Sequence, residues 1–267
     1  MMTDVNPIGA PAGGDGKHEA SARRSRCVCL LPLPVAERAV GAVLRAGGIA
    51  IVDVVGVVPG DNALARALTT LTQLPAPTDA RRRVGEPGLR LDVASLALAD
   101  ALVGMPHHIV LHDWTAAALP GLLGAWQRDG RRIWLELRDR AALNDVDSAL
   151  PFAGWLGRGA EASGDGGRES SFIVAQHLAR QPKPFWLQGG IGPHSAAGAL
   201  ACGAERVVLD DALLLTRELA LPAARRRQIE SHSGTSRWRS VFALVTAVEA
   251  ACHSHLSMAA AQRALAP

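Results

Sequence analysis

From residue 26 to residue 210 the chain repeats one pattern eight times: a short apolar run, then a segment in which Ala, Leu and Arg recur at helical spacing. Short apolar runs alternating with amphipathic helices are the signature of parallel strands joined by crossover helices, because each strand must be covered on both faces. The runs lie near 26–32 (RCVCLLP), 49–55 (IAIVDVV), 87–93 (PGLRLDV), 107–113 (HHIVLHD), 131–138 (RRIWLELR), 152–158 (FAGWLGR), 184–189 (PFWLQG) and 205–210 (ERVVLD). Between them, VAERAVGAVLRAGG, AALPGLLGAWQRDG and SSFIVAQHLARQ read as helices, and several such segments end in Gly, as helix C-termini prefer. Eight units predict a compact α/β fold, a (β/α)8 TIM barrel, with some helices shorter than in the typical barrel of about 250 residues. An open doubly wound sheet is the alternative, since periodicity alone does not separate a closed sheet from an open one.

With 48% of its 267 residues apolar, the chain can bury one large core. The expected division is a flexible leader over 1–24, rich in Gly, Pro and Ala, the barrel over 25–219, and a C-terminal helical extension over 220–267. Within the extension, SVFALVTAVEAACHSHL is apolar enough to pack on the barrel or on another subunit, and Arg225, Arg226 and Arg227 read as a solvated or capping run. A net charge of +3, from 28 Lys+Arg against 25 Asp+Glu, argues against a nucleic-acid or membrane surface and leaves small molecules as the expected partners. No apolar run approaches the roughly 18 residues of a membrane span, and the leader has no signal core, so a cytoplasmic setting is expected.

The four cysteines lack zinc-type spacing, and Cys27 and Cys29 share one face of a strand as core residues. His253 and His255 diverge on a helix, which argues against a metal. The absence of Tyr leaves any proton transfer to other groups.

The segment FWLQGGIGPHSAAGALACGAERVVLDDALL, 185–214, runs strand, glycine turn, helix, strand. In a barrel the loops after the last two strands often hold a phosphate. Gly189 and Gly190 permit close backbone approach, and a helix starting near Pro193 would offer free amides. The same two glycines also suit a plain tight turn.

This stretch resembles the phosphate-binding end of the nitronate monooxygenase (2-nitropropane dioxygenase) family of FMN-dependent barrels. It is most similar to the version found as an N-terminal module of polyketide and polyunsaturated fatty acid synthase-like proteins. Residues 159–172, GAEASGDGGRESSF, are similar to that family's glycine-rich loop after strand six, matching at Gly159, Glu161, Ala162, Gly164, Gly167, Glu169, Ser170, Ser171 and Phe172; RAGGIAIVD, 45–53, resembles an early family segment. The resemblance implies an FMN over the barrel mouth, with Gly189, Gly190 and Ile191 near its phosphate, Gly164 and Gly167 near flavin or substrate, and Asp210 and Asp211 at the phosphate end of strand eight. It also implies a small-molecule or acyl-thioester substrate and synthase or acyl-carrier partners.

The chain departs from the family where chemistry matters. Asp165 stands where nitronate-oxidising relatives carry a histidine base, Ala160 replaces a second histidine, and Asp211 adds a carboxylate beside the expected phosphate. Asp165 and Arg158 are the candidate catalytic residues, Arg158 through its charge toward phosphate or an acidic substrate. His112, Asp113 and Glu136 are further candidates for the same mouth, the alternative for each being a surface ion pair or strand-end cap and, for Glu136, an internal barrel pair. His107 and His108 belong to the opposite, stability face, and His177 to an exposed helix surface. Two functions follow: an FMN-dependent oxidoreductase of nitronate monooxygenase or enoyl reductase type, or a catalytically degenerate barrel acting as a docking module of a biosynthetic synthase.

Overall fold

The computed structural model describes residues 25–57, 85–96, 107–127, 129–219 and 240–264, with isolated residues of 62–69 and 222–228. The expected leader, Arg225 and the SHSGTS turn lie outside the described residues. Eight parallel strands close into a barrel in sequence order: β1 (Cys27–Pro32), β2 (Ile49–Asp53), β3 (Pro87–Leu91), β4 (His108–Leu111), β5 (Arg132–Leu137), β6 (Gly154–Arg158), β7 (Phe185–Gln188) and β8 (Arg206–Leu209). Closure is made by β1 against β8, with Cys27 opposite Val207 and Cys29 opposite Leu209. This excludes the open sheet.

Among the described residues the α-helices are α1 (Leu33–Arg45), α2 (Leu119–Gln127), α3 (Ser171–Leu178), α4 (Ala196–Ala201), α5 (Asp211–Leu214) and α6 (Val241–Ala264). Strand residues alternate between faces, so each strand contributes one set to the helix-covered outside and another to the barrel interior. The outer set, including Cys27, Cys29, Leu89, Ile109, Leu135 and Leu187, merges with the helices into one core.

The inner set forms layers. At the N-terminal end His108, Trp134, Trp186 and Arg206 are buried. The Trp134 and Trp186 rings stack at 3.9 Å, and Trp134 Nε1 donates to His108 Nδ1 at 3.2 Å. Glycines make room for these rings: a Cβ on Gly154 would lie 2.6 Å from the Trp134 ring, and one on Gly88 would lie 2.8 Å from His108 Cβ. His108 Nε2 meets Glu86 Oε2 at 2.5 Å. That hydrogen bond, outweighing burial and helped by the charge of His108, holds the Glu86 carboxyl down at about 2. His108 thus serves the packed end of the barrel. An aliphatic layer follows, with Leu30, Ile51, Val110, Leu156 and Val208.

α6 docks on the barrel of its own chain. Val241, Leu244, Val245, Val248 and Cys252 are fully buried in the outer core. Glu249 Oε1 accepts from Ser25 Oγ at 2.5 Å and from the amides of Arg26 and Cys27, both at 2.8 Å. One carboxylate of the extension therefore caps the entry to β1. Among the described residues no helix is long and apolar enough to cross a membrane, and no group of three His, Cys, Asp or Glu side chains could hold a metal.

Candidate functional site

The last inward position of successive strands is polar, and these side chains meet at the C-terminal end of the barrel. Arg90 on β3 is the hub: its Nε donates to Glu136 Oε2 at 2.6 Å, its Nη2 to Glu136 Oε1 at 3.0 Å, and its Nη1 to Asp53 Oδ2 at 2.8 Å. Its Nη2 also lies 2.9 Å from His112 Nδ1, which is 3.0 Å from Glu136 Oε1. Burial by itself would raise the Glu136 pKa, but hydrogen bonds from His112 and Arg90 and the charges of Arg90 and Arg158 outweigh it and hold the group at about 2. Glu136 is therefore a permanent carboxylate at neutral pH.

Arg158 ends β6 and is 1% exposed. Its Nη2 donates to the Ser163 carbonyl, and its Nε lies 3.6 Å from Glu136 Oε1, an ion-pair separation. Neither Nε nor Nη1 has a hydrogen-bond partner. The β7 residue in register with it is Gln188, wholly buried, whose Nε2 donates to Asp210 Oδ2 at 2.9 Å while its Oε1 has no partner. Two orphaned donors and one orphaned acceptor therefore sit on adjacent strand ends. Buried polar groups are rarely left so, and such a set marks a place where a ligand or ordered water completes the bonding.

The glycine-rich loop lies over this end. Gly167 is required by contact, since its Cβ would fall 2.0 Å from the Arg158 carbonyl oxygen. Gly159 O accepts from Ala162 N and Gly167 N, drawing the loop back on itself. Ser163 is held by Asp210, whose Oδ2 accepts from its amide at 2.9 Å and its hydroxyl at 3.3 Å. Asp165 is exposed and is not part of the Arg90 network, while Gly164 adopts φ 73°.

At the turn after β7, Gly189 and Gly190 have φ of 118° and 63°, which glycine alone adopts readily. Ile191 is buried. Gly192 N donates to Ser195 Oγ at 3.0 Å, and that hydroxyl donates to the Gly190 carbonyl at 3.0 Å. Glu161 lies along the turn, with Oε2 3.4 Å from a Cβ built on Gly189, and accepts from Ser171 N at 2.9 Å. The helix expected near Pro193 begins at Ala196 and spans six residues. Asp210 is buried, and its Oδ1 accepts the Asp211 amide at 2.7 Å. Burial, then the charge of Asp210, raise the Asp211 pKa to about 6.

An open cleft of about 550 Å³ reaches the network from the β4 and β5 side, lined by Asp113, Trp114, Glu136, Arg138, Asp139 and Asp145 among others. Trp114 Nε1 donates to the Glu136 carbonyl at 2.8 Å, and Arg138 pairs with Asp113 across the rim. Glu136 is thus shared between cleft and buried network.

Sequence reasoning singled out Arg158, Glu136 and His112, which the barrel brings together. It passed over Arg90, Asp53 and Gln188. The available signal was the recurrence of a polar residue two positions beyond the last inward apolar one, as in Ile51 and Asp53, Val110 and His112, or Leu156 and Arg158.

Fold and site define a (β/α)8 barrel with a buried, charged mouth beneath a glycine-rich loop. Among solved structures it is similar to a mutant of FabK from Thermotoga maritima, with a TM-score of 0.61 and 15% identity over 92% of this chain and 96% of that one. It is also similar to nitroalkane oxidase from Streptomyces ansochromogenes, TM-score 0.58 and 14% identity over 89% and 88%, and to a 3-hexulose-6-phosphate synthase, TM-score 0.56 and 14% identity over 85% and 99%. At these identities the likeness is one of fold. No family model matches the chain, and no curated protein does.

Proposed function

We propose that this protein is a flavin-dependent oxidoreductase of the (β/α)8 type. The observation that carries the reading is the orphaned set on Arg158 and Gln188. The pyrimidine edge of a flavin alternates carbonyl acceptors with an N–H donor, which two guanidinium donors beside an amide acceptor would complement. When bound, the flavin supplies the redox chemistry, and the barrel supplies position and charge. Arg158 would hold that edge and favour an electron-rich ring, while Arg90 and Glu136 fix the surrounding charges.

The cleft beside Trp114 is the substrate approach in this reading, since it opens to solvent and has Glu136 in its wall. A nitro compound or an acyl thioester is the proposed substrate class, and a place in polyketide or fatty acid biosynthesis, with synthase or acyl-carrier partners, belongs to the same proposal. The resemblance of the 159–172 and 185–210 segments supports it, as do neighbours that include a nitroalkane oxidase. Asp165, exposed and away from the network, is a poor base, so proton transfer falls to His112.

A catalytically silent docking barrel is the second reading. It is favoured by the mouth carboxylates, Asp53, Glu136 and Asp210, each already bonded within the chain. Purified protein decides between them. Stoichiometric flavin absorbance, or saturable uptake of added riboflavin or FMN, supports the oxidoreductase; a colourless protein that takes up neither overturns it.

A further inference from the structure

His112 is 5% exposed and stands behind the cleft wall, to which Asp113 and Glu136 contribute. Its two ring nitrogens face two carboxylates: Nδ1 lies 3.0 Å from Glu136 Oε1, and Nε2 lies 3.2 Å from Asp113 Oδ2. Arg90 Nη2, 2.9 Å from Nδ1, donates to the same Glu136 oxygen. Glu136 is sealed in the network, whereas Asp113 is exposed to the cleft. Among the described residues Asp113 is the one non-glycine residue with positive φ, 48°. That conformation is costly outside glycine and persists where the surroundings fix it, commonly at functional positions. Here Arg138 holds Asp113 Oδ1, which leaves Oδ2 between the imidazole and the cleft. Asp139, also in the cleft wall, is spent on the Ala141 amide and on Arg168.

We propose that Asp113 is the residue that passes protons between a substrate in the cleft and His112. In the abstracting direction a C–H bond beside a nitro group or thioester carbonyl breaks, its electron pair stays on the substrate as a nitronate or enolate, and the proton bonds to Asp113 Oδ2. That O–H bond then breaks as Nε2–H forms, which returns Asp113 to a carboxylate. The imidazolium is compensated by Glu136, whose Oε1 accepts from Nδ1. Protonation of the substrate is the reverse sequence. A carboxylate alone holds a proton poorly near neutral pH and an imidazole holds it better, so the ring supplies the basicity and the carboxylate supplies the reach. Of the proposed function, the relay needs only the cleft as the substrate's place; it requires no flavin and no electron acceptor.

The test is exchange of the α-hydrogens of nitroethane and of S-ethyl thioacetate in D2O, followed by proton NMR, using the full chain with and without added FMN. The variants are Asp113→Asn, which keeps a side chain that tolerates the left-handed backbone and removes the charge, and His112→Gln. Asp113→Gly takes the place of Asp113→Asn if circular dichroism shows the latter unfolded, and the Asp113 variants decide if His112→Gln does not fold. The wild type is expected to accelerate exchange of at least one probe, and each variant to lose at least about a hundredfold of that acceleration. Exchange retained in a folded variant at either position overturns the relay, as does a wild type that accelerates neither probe. Flavin uptake is read on the same preparations. Uptake without exchange overturns the relay and leaves the flavin reading intact; exchange without uptake sustains the relay and removes the flavin reading.

Discussion

Arg90 and Glu136, 46 residues apart in the chain, meet inside the barrel through two hydrogen bonds of 2.6 and 3.0 Å with both side chains nearly inaccessible. Removing one partner of a buried, bonded pair costs far more than the pair contributes, because the other charge is left without compensation. Glu136→Gln should therefore lower stability by about 3–5 kcal/mol, measured by urea unfolding. A loss below about 1 kcal/mol would mean that Arg90 is otherwise neutralised.

The same carboxylate sets an acid limit. Its folded pKa of about 2 lies below the unfolded value near 4.3, so its contribution is complete above that value and is lost as pH falls toward 2. Wild-type stability should fall over this window, and the slope should flatten in Glu136→Gln. An unchanged slope would assign the acid transition to other groups.

Asp211 works in the opposite direction. Burial and Asp210 raise its folded pKa to about 6 from 3.8, so the folded state binds more protons and stability declines as pH rises from 4 through 6. Asp211→Asn should gain about 1 kcal/mol at pH 8 and little at pH 4, the figure being reduced for solvent screening. Thermal unfolding at the two pH values reads this, and an equal gain at both would refute the electrostatic cause.

Arg158→Met removes two buried donors that have no hydrogen-bond partner, along with the bond to Ser163 and the ion pair with Glu136, which keeps its two bonds from Arg90. Because unpaired buried donors carry a desolvation cost, stability should change by less than about 1.5 kcal/mol while flavin affinity drops at least about tenfold. Flavin titration and urea unfolding of one preparation separate the two effects. Undiminished flavin uptake would remove Arg158 from the site.

Glu249→Ala removes the carboxylate that accepts from the amides of Arg26 and Cys27, leaving the Cys27 amide only its longer bond to Ser25 Oγ. We expect a loss of about 3 kcal/mol and faster hydrogen exchange in β1 and α6 than in β4 and β5. Uniform exchange across the barrel would show that apolar burial alone seats α6.

The strand positions were readable because a buried strand must be locally apolar and a parallel connection must return through a helix. β1, β3 and β8 lie within the segments their apolar runs predict. The glycine turn was readable for a similar local reason, since Gly189 and Gly190 take backbone angles unfavourable to other residues. Cys27 and Cys29 fell on one buried face because strand geometry has a period of two.

Arg90, Asp53 and Gln188 were not readable in the same way. A polar residue at a strand end is ordinary until closure decides whether it points at water or at six other strand ends. Asp210 shows the difference most sharply: as sequence it is one of two adjacent acids, and as structure it is an acceptor saturated by Ser163 and Gln188, 47 and 22 residues distant. Local periodicity determined the eight strands and the described helices between them, since it depends on neighbours along the chain. Closure of the barrel decided the charged mouth, since only a curved, staggered sheet brings those side chains within hydrogen-bonding range and out of water.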